Sequence, residues 1–188
     1  MSPAAALTPI GTTELPADLV RPTKRDEAWR YAPHRQLDEL TFGPTTSDVG
    51  ELPADFDEQI PFVDGPRIVV VNGVIDRERS DVDTPDGLHL WSLADVADSQ
   101  PDLVRRHAER IGGADAFTAY NLAYGTDGAV IVVDAGVEIT RPIHVVDVAV
   151  PGVSTNTANT GVIIHVGAGS SATVIESRLG VGAEFVGS

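Results

Sequence analysis

Apolar residues change their spacing part-way along this chain, and the change divides it. Beyond Ala116, short apolar runs alternate with Gly, Asp and Asn turns, at residues 129–133, 143–148, 161–166 and 173–175. The runs starting at Val162, Thr173 and Glu184 are evenly spaced. Short strands at regular intervals with turn signals between them predict a stacked β-architecture whose coils bury their faces on one another. Half-coils of that spacing put Val162 in one sheet, Thr173 in the next and Glu184 back beneath Val162. Gly167, Gly169, Gly180 and Gly182 then fall at the corners, where tight bends often demand φ > 0. Right-handed parallel stacking is favoured over a left-handed helix of hexapeptides. Residues 166–171 fit one such unit, but Thr160 and Ala172 break the pattern on either side. A stacked array needs a cap at each end. This one stops at Val186-Gly-Ser188 without a helix or a polar closing strand, so the chain reads as the front part of something longer.

The first half is patterned differently. Residues 1–20 lack any period and read as a mobile leader. Arg21 to Tyr31 predicts a short helix with Thr23 as N-cap and Asp26 at the third position, held down by Trp29. Residues 43–66 read as loop. Two β-branched runs flank Asn72-Gly73, the dipeptide of a type I′ hairpin turn. Residues 88–91 add a strand, and Ser92 caps a short helix with Asp95 at the third position after it. A second helix opens at Pro101 and stops at Gly112-Gly113, with Leu103, His107, Ala108 and Ile111 on one side and Arg105, Arg106 and Arg110 on the other. Asp115 caps a third helix over residues 116–124, apolar over most of its surface and hence expected to be a buried plug on the first coil. The predicted fold is an α+β N-terminal region over residues 21–115, then the first coils of a right-handed parallel β-helix over residues 116–188, mainly β and truncated.

Charge follows the same division. Residues 1–115 hold 22 Asp/Glu and 11 Lys/Arg, whereas residues 116–188 hold six acids and two arginines. A net charge of −15 argues against nucleic acid as a partner, since that binding rests on cations that displace counterions. No apolar run approaches the 18 or so residues of a membrane helix, which argues against a membrane partner. The N-terminus has no basic residue ahead of its short apolar patch and makes a poor signal peptide, so the expectation is a cytoplasmic protein. The chain contains no cysteine, which removes disulfides, thiolate nucleophiles and cysteine-ligated metal sites from its own chemistry.

Candidate chemistry is sparse. None of the five histidines, His34, His89, His107, His144 and His165, stands at a ligand spacing from another histidine. His144 and His165 lie on array strands, and a structural role is the expectation for both. Asp76, Glu78, Asp81, Asp83 and Asp86 crowd one loop but lack the frame of a calcium loop. Asp127, Asp134 and Asp147 invite a reading as paired acids of a polysaccharide-degrading β-helix, yet each neighbours a turn or a strand end, where Asp serves as a turn residue. Glu176, mid-strand in a nearly uncharged stretch, reads as an outward-facing side chain. There is no phosphate loop, G-x-S-x-G or dinucleotide fingerprint. No catalytic and no metal-binding residue is assigned.

Several segments in order carry a resemblance. They are Pro22-Thr-Lys24 with Glu27 and Trp29-Arg-Tyr31; Val70-Val-Asn-Gly73; Phe117 with Tyr120-Asn-Leu-Ala123, then Asp127-Gly128; Pro142-Ile143; and Ala172-Thr-Val-Ile-Glu176. Together they resemble the SufB/SufD proteins of the Suf iron–sulfur cluster assembly system, the SufD branch in particular because of Trp-Arg-Tyr. The resemblance implies a right-handed parallel β-helix after a mixed N-terminal region, and a C-terminal helical domain that docks a SufC-like ATPase. It also implies pairing with a SufB-like paralogue, with an iron–sulfur cluster formed transiently at the complex interface and none bound by this fragment. The cluster-site histidine of SufD-like proteins falls late in their chains, and neither His144 nor His165 is matched to it. Trp29, Arg30, Tyr31, Asn121 and Glu176 match family positions with structural roles, Asn121 bonding backbone groups at the β-helix mouth. The expectation is a non-enzymatic scaffold component of a SufB–SufC–SufD complex.

Two other classes compete. A β-helical carbohydrate-active enzyme or binding module needs exposed aromatics, and only Tyr120, Tyr124 and Phe185 follow Phe117. A left-handed hexapeptide acyltransferase needs a regular [LIV]-G repeat that the chain lacks. An uncapped stack leaves unpaired backbone groups at its open end, so the isolated chain is expected to self-associate. Size-exclusion chromatography checks this: a clean monomer at high concentration contradicts it.

Overall fold

The computed structural model describes residues 10, 14–15, 17–43, 50–111, 115–150 and 157–182. Most of the expected leader, the stop at Gly112-Gly113 and the run at Glu184 lie outside them. The strands are β1 (Arg67–Val71), β2 (Val74–Ile75), β3 (Leu88–Ser92), β4 (Asp127–Val133), β5 (Ile143–Ala149), β6 (Thr160–Val166) and β7 (Val174–Gly180). The helices are α1 (His34–Glu39), α2 (Leu93–Ser99), α3 (Pro101–Ile111) and α4 (Ala116–Tyr124). The fold is therefore mixed α+β and not mainly β, because helices take up about as much of the described chain as strands.

Two sheets result, ordered β2-β1-β5-β7 and β3-β4-β6. In the first, β1, β5 and β7 are parallel and the short β2 is antiparallel at one edge. In the second, β4 and β6 are parallel and β3 is antiparallel at one edge. From β4 onward successive strands alternate between the sheets. Asp127 stands opposite Thr160 in one sheet, and Ile143 stands opposite Val174 in the other.

The connections stack as the strands do. The Gly136 N–H donates to Ala168 O at 3.0 Å, the Gly167 N–H to Val133 O at 2.8 Å and the Ile139 N–H to Ser171 O at 2.8 Å. This register corrects the predicted coil. A return to the same sheet runs from Asp127 to Thr160, or from Ile143 to Val174, a longer path than the expected one from Val162 to Glu184. Each strand spans seven residues, and its connection carries a further bridged stretch, Glu138 against Ser171. Val162 and the run that follows Thr173 still fall on different sheets, as the spacing implied.

Alternation along the strands fills the space between the sheets. Ile68, Val70, Leu88, Leu90, Ala129, Ile131, Val133, Ile143 and Val145 form that inner layer. Intervening residues face outward. Val130 and Ile163 are covered by Leu93 and Val96 of α2 and Val104 of α3. Val69, Val71, Val146 and Val148 are covered by Phe56 and Ile60, so the segment expected to be loop contributes a 3-10 turn at Phe56–Gln59 that seals one sheet. Phe56 is fully buried, which stabilises the fold by about 2–3 kcal/mol.

Local signals hold unevenly. Asn72 has φ 47° and Gly73 φ 82°, the geometry of the predicted hairpin turn. The Asn72 side chain also donates to Val150 O at 2.8 Å and accepts from Val150 N–H at 2.9 Å, fastening the hairpin beyond the end of β5. Ser92 caps α2 by accepting from the Asp95 N–H at 3.3 Å. The expected helix from Arg21 is only a 3-10 turn, Glu27–Trp29. There Asp26 Oδ2 accepts from the Thr23 N–H, the reciprocal half of the expected capping box, while Thr23 Oγ1 accepts from the Arg25 N–H and not from the Asp26 N–H. On α3 the buried residues are Val104 and Ala108, while Ile111 is exposed.

Asp115 caps α4 by accepting from Phe117 and Thr118 N–H at 2.8 and 2.9 Å. The helix is half-buried rather than a buried plug, with only Ala116 fully enclosed. Its aromatic side meets the N-terminal segment instead: Phe117 lies 4.9 Å from Trp29 and Tyr120 stacks at 4.3 Å on Phe42. The Arg21 guanidinium sits 4.7 Å above the Phe42 ring and donates to Leu37 O and Leu40 O.

A Cβ at Gly167 would lie 2.5 Å from Ala135 N, because successive turns pack backbone to backbone. Gly167→Ala is therefore expected to cost about 1–3 kcal/mol by overpacking. Gly169→Ala, with open space but φ 73°, should cost about 1 kcal/mol. Urea denaturation of the two variants ranks them, and equal costs would contradict stacked turns.

Candidate functional site

Inner positions along β5 run Ile143, Val145, Asp147, so the third inward residue is a carboxylate where apolar filling is expected. Across the interior, the Thr160 hydroxyl at the start of β6 donates to Asp147 Oδ1 at 3.2 Å. On β7, Glu176 stands beside Val145 and Arg178 beside Asp147. Both share the inward parity of Val174, which packs on the inner layer. Glu176 therefore lies on the inner face of its sheet by register, yet its side chain and that of Arg178 remain exposed, at 42% and 43%. Its Oε1 accepts from Arg178 Nε at 3.0 Å and Nη2 at 2.9 Å. The inner face is thus apolar along one half of β5 and polar, and open to solvent at Glu176 and Arg178, along the other.

Burial raises the Asp147 carboxyl above its ordinary value; the Thr160 hydrogen bond and the Arg178 charge oppose that, and Glu176 adds to it. Asn121 of α4 donates to Thr160 O at 3.1 Å, the backbone contact expected of it. A polar chain therefore runs from α4 through Thr160 to Asp147. Neither Thr160 nor Arg178 stands out in the sequence. Arg178 and Glu176 are readable there only as two nearby charges, and their inward direction depends on register.

Opposite Thr160 in register lies Asp127, buried at the start of β4. It accepts from Ser92 Oγ at 2.7 Å, Ala94 N–H at 3.1 Å, Gly128 N–H at 2.8 Å and Ile75 N–H at 3.1 Å. With both oxygens engaged by local donors, this carboxylate joins β2, β3, α2 and β4 and is not a free acid. Asp134 sits on the outside, 3.2 Å from His89 Nε2, with His89 stacked 5.1 Å from Trp91. The three aspartates considered as paired acids are thus not brought together as one pair.

The remaining candidates are also placed in structural settings. His144 and His165 occupy the outer faces of opposite sheets, separated by the inner layer. His144 is buried, 2.9 Å from Ser177 Oγ, and its imidazole is pushed down by burial and by the Arg67 charge. His165 is exposed. His34 is buried against Trp29 O at 2.6 Å. Burial, followed by the charge of Arg110, also pushes His107 down. In the acidic loop, Asp76 accepts from Glu78 and Arg79 N–H, and Asp81 accepts from Asp83 N–H. Arg79 bridges Asp76 at 2.9 Å and Asp57 at 3.2 Å. Among the described residues no group of three or more His, Asp or Glu is arranged to hold a metal ion.

A family model described as the SufBD protein N-terminal region matches residues 17–145, more than half of the chain. The chain belongs to the SufBD family. An iron–sulfur cluster assembly SufBD family protein of Synechocystis sp. is 27% identical over 136 residues, 71% of this chain. That match spans 30% of the relative's length. The matched region takes in the aromatic entry segment, the hairpin, the helices, β4 and the start of β5, and so the frame that carries the inner polar cluster.

Asp127→Ala removes one carboxylate from four donors at once. The expected cost is about 3 kcal/mol or more, because the abandoned N–H and O–H groups stay buried. Chemical denaturation checks this, and a loss within the range of a surface substitution would contradict the role given to Asp127.

Proposed function

We propose that this SufBD family chain is a SufD-like, non-enzymatic scaffold component of iron–sulfur cluster assembly in the cytoplasm. It works within a SufB–SufC–SufD complex, beside a SufB-like paralogue and a SufC-like ATPase. The observation that carries the proposal is the family match over residues 17–145, on a chain whose strands alternate between two sheets with parallel pairing. That alternation supports reading residues 116–188 as the first coils of a right-handed parallel β-helix, with β2 and β3 as antiparallel closures at its starting end. Trp-Arg-Tyr at residues 29–31 favours the SufD branch over the SufB branch.

The chemistry of the chain suits a scaffold. It has no thiolate with which to hold a cluster. Asp76, Asp115, Asp127 and Asp147 are engaged in a turn, a helix cap, a buried network and a bond between the sheets. The cluster itself is cargo, formed transiently at the interface with the partners and not held by this chain alone. No helix among the described residues is long and apolar enough to cross a membrane.

Disrupting the encoding gene tests the proposal. Activities of iron–sulfur enzymes such as aconitase should fall several-fold while their polypeptide levels hold, and affinity-tagged protein should bring down the SufB-like and SufC-like partners. Unchanged iron–sulfur enzyme activity, or purification free of both partners, would contradict it.

A further inference from the structure

The turn between β1 and β2 carries a chemistry that the assembly role does not use. An Asn-Gly pair such as Asn72-Gly73 is prone to lose its side-chain amide, because glycine sets no Cβ in the way of ring closure. In that reaction the Gly73 backbone nitrogen attacks Asn72 Cγ. The new N–Cγ bond closes a five-membered succinimide, the Cγ–Nδ2 bond breaks, and ammonia leaves with the proton of the Gly73 N–H. Water then opens the ring at either carbonyl, leaving aspartate or isoaspartate where asparagine stood. In an unfolded chain the Asn72 dihedrals rotate freely and the ring can close.

The fold opposes each part of this. Asn72 has φ 47°, the one positive value at a non-glycine among the described residues, and a type I′ turn holds its backbone in the left-handed region. Ring closure needs the Gly73 nitrogen to swing to the side of Asn72 that carries Cβ, which lies outside that region. The side-chain amide is also held at both ends. Its Nδ2 donates to Val150 O at 2.8 Å, and its Oδ1 accepts from the Val150 N–H at 2.9 Å. The Asn72 backbone N–H donates to Val148 O at 2.8 Å. Attack therefore requires the hairpin to leave its turn and to let go of the end of β5 together.

We propose that Asn72 is a protected deamidation site, kept intact while the hairpin is docked and loosening that hairpin irreversibly once converted. The sense follows from the donors and acceptors. An amide matches the Val150 backbone as donor and acceptor at once, whereas a carboxylate only accepts. Conversion leaves Val150 O without its donor and sets a negative charge against it. Isoaspartate goes further, because the main chain then runs through the former side chain. The extra methylene lengthens the connection between Val71 and Val74, which face each other across the turn. Release of the hairpin would free the end of β1 from β5, its parallel neighbour.

Peptide mapping by mass spectrometry on the full chain tests the proposal, with samples held at neutral pH either folded in buffer or unfolded in urea. Conversion at Asn72 should be several-fold slower or more in the folded chain. Equal rates would overturn the proposal. Asn72→Asp supplies the product directly. Its amide at residue 72, which bonds Val148 O in the wild type, should exchange with solvent several-fold faster. Protection equal to that of the wild type would overturn the proposal as well. The rate comparison uses the natural chain alone, so it decides the matter even should the variant fail to fold. Neither readout depends on cluster assembly, so failure here and failure of the assembly role are separate results.

Discussion

Backbone pairing between β4 and β6, and between β5 and β7, is the constraint on which the other features rest. Both pairings are parallel with fixed offset, and the turns between the strands bond to one another as well. Parallel neighbours cannot be joined by a tight hairpin, so the chain must leave each sheet, pass through the other and come back. That route sets the length of a return. It also sets which residues face inward, because a slip of one position would turn every inner side chain outward. Close approach of successive turns then demands a residue without a side chain at Gly167, where a Cβ would meet the Ala135 backbone.

The starting end of this stack is closed by antiparallel strands, β2 on one sheet and β3 on the other. Both are anchored by Asp127, which accepts from Ile75 of β2 and from Ser92 of β3. Helices α2 and α3 and the turn at Phe56 cover the outer faces. The N-terminal segment is held elsewhere, through Arg21 and the rings of Trp29, Phe42, Phe117 and Tyr120. Membership of the SufBD family fits this division of labour. The matched residues, 17–145, build most of this frame.

Much of this is legible in the sequence wherever the signal is local. Asn72-Gly73, the cap at Ser92, Pro101 at the head of α3 and Asp115 ahead of α4 all act within about one turn of backbone, and each is readable from residue type alone. The alternation of strands between two sheets is also readable, from apolar runs broken by glycine turns. The length of a return is not. Strand starts at Val162 and Thr173 suggest a short half-coil, but register depends on which turns bond, and the pairing of Gly136 with Ala168 leaves no local mark. Glu176 is half legible for the same reason: its exposure follows from its charge, while the face of the sheet it takes is decided by parity with Val174. Arg21 to Tyr31 looks helical by its capping residues, yet ring contacts with α4 hold it as a turn and loop.

Cross-strand NOEs by NMR on the isotopically labelled chain test the stacking most directly. Contacts should run in parallel register, from Asp127 with Thr160 through to Val133 with Val166, and from Ile143 with Val174 through to Ala149 with Gly180. Contacts in which one residue number rises as its partner's falls would mean antiparallel strands, and the stacked frame would be wrong.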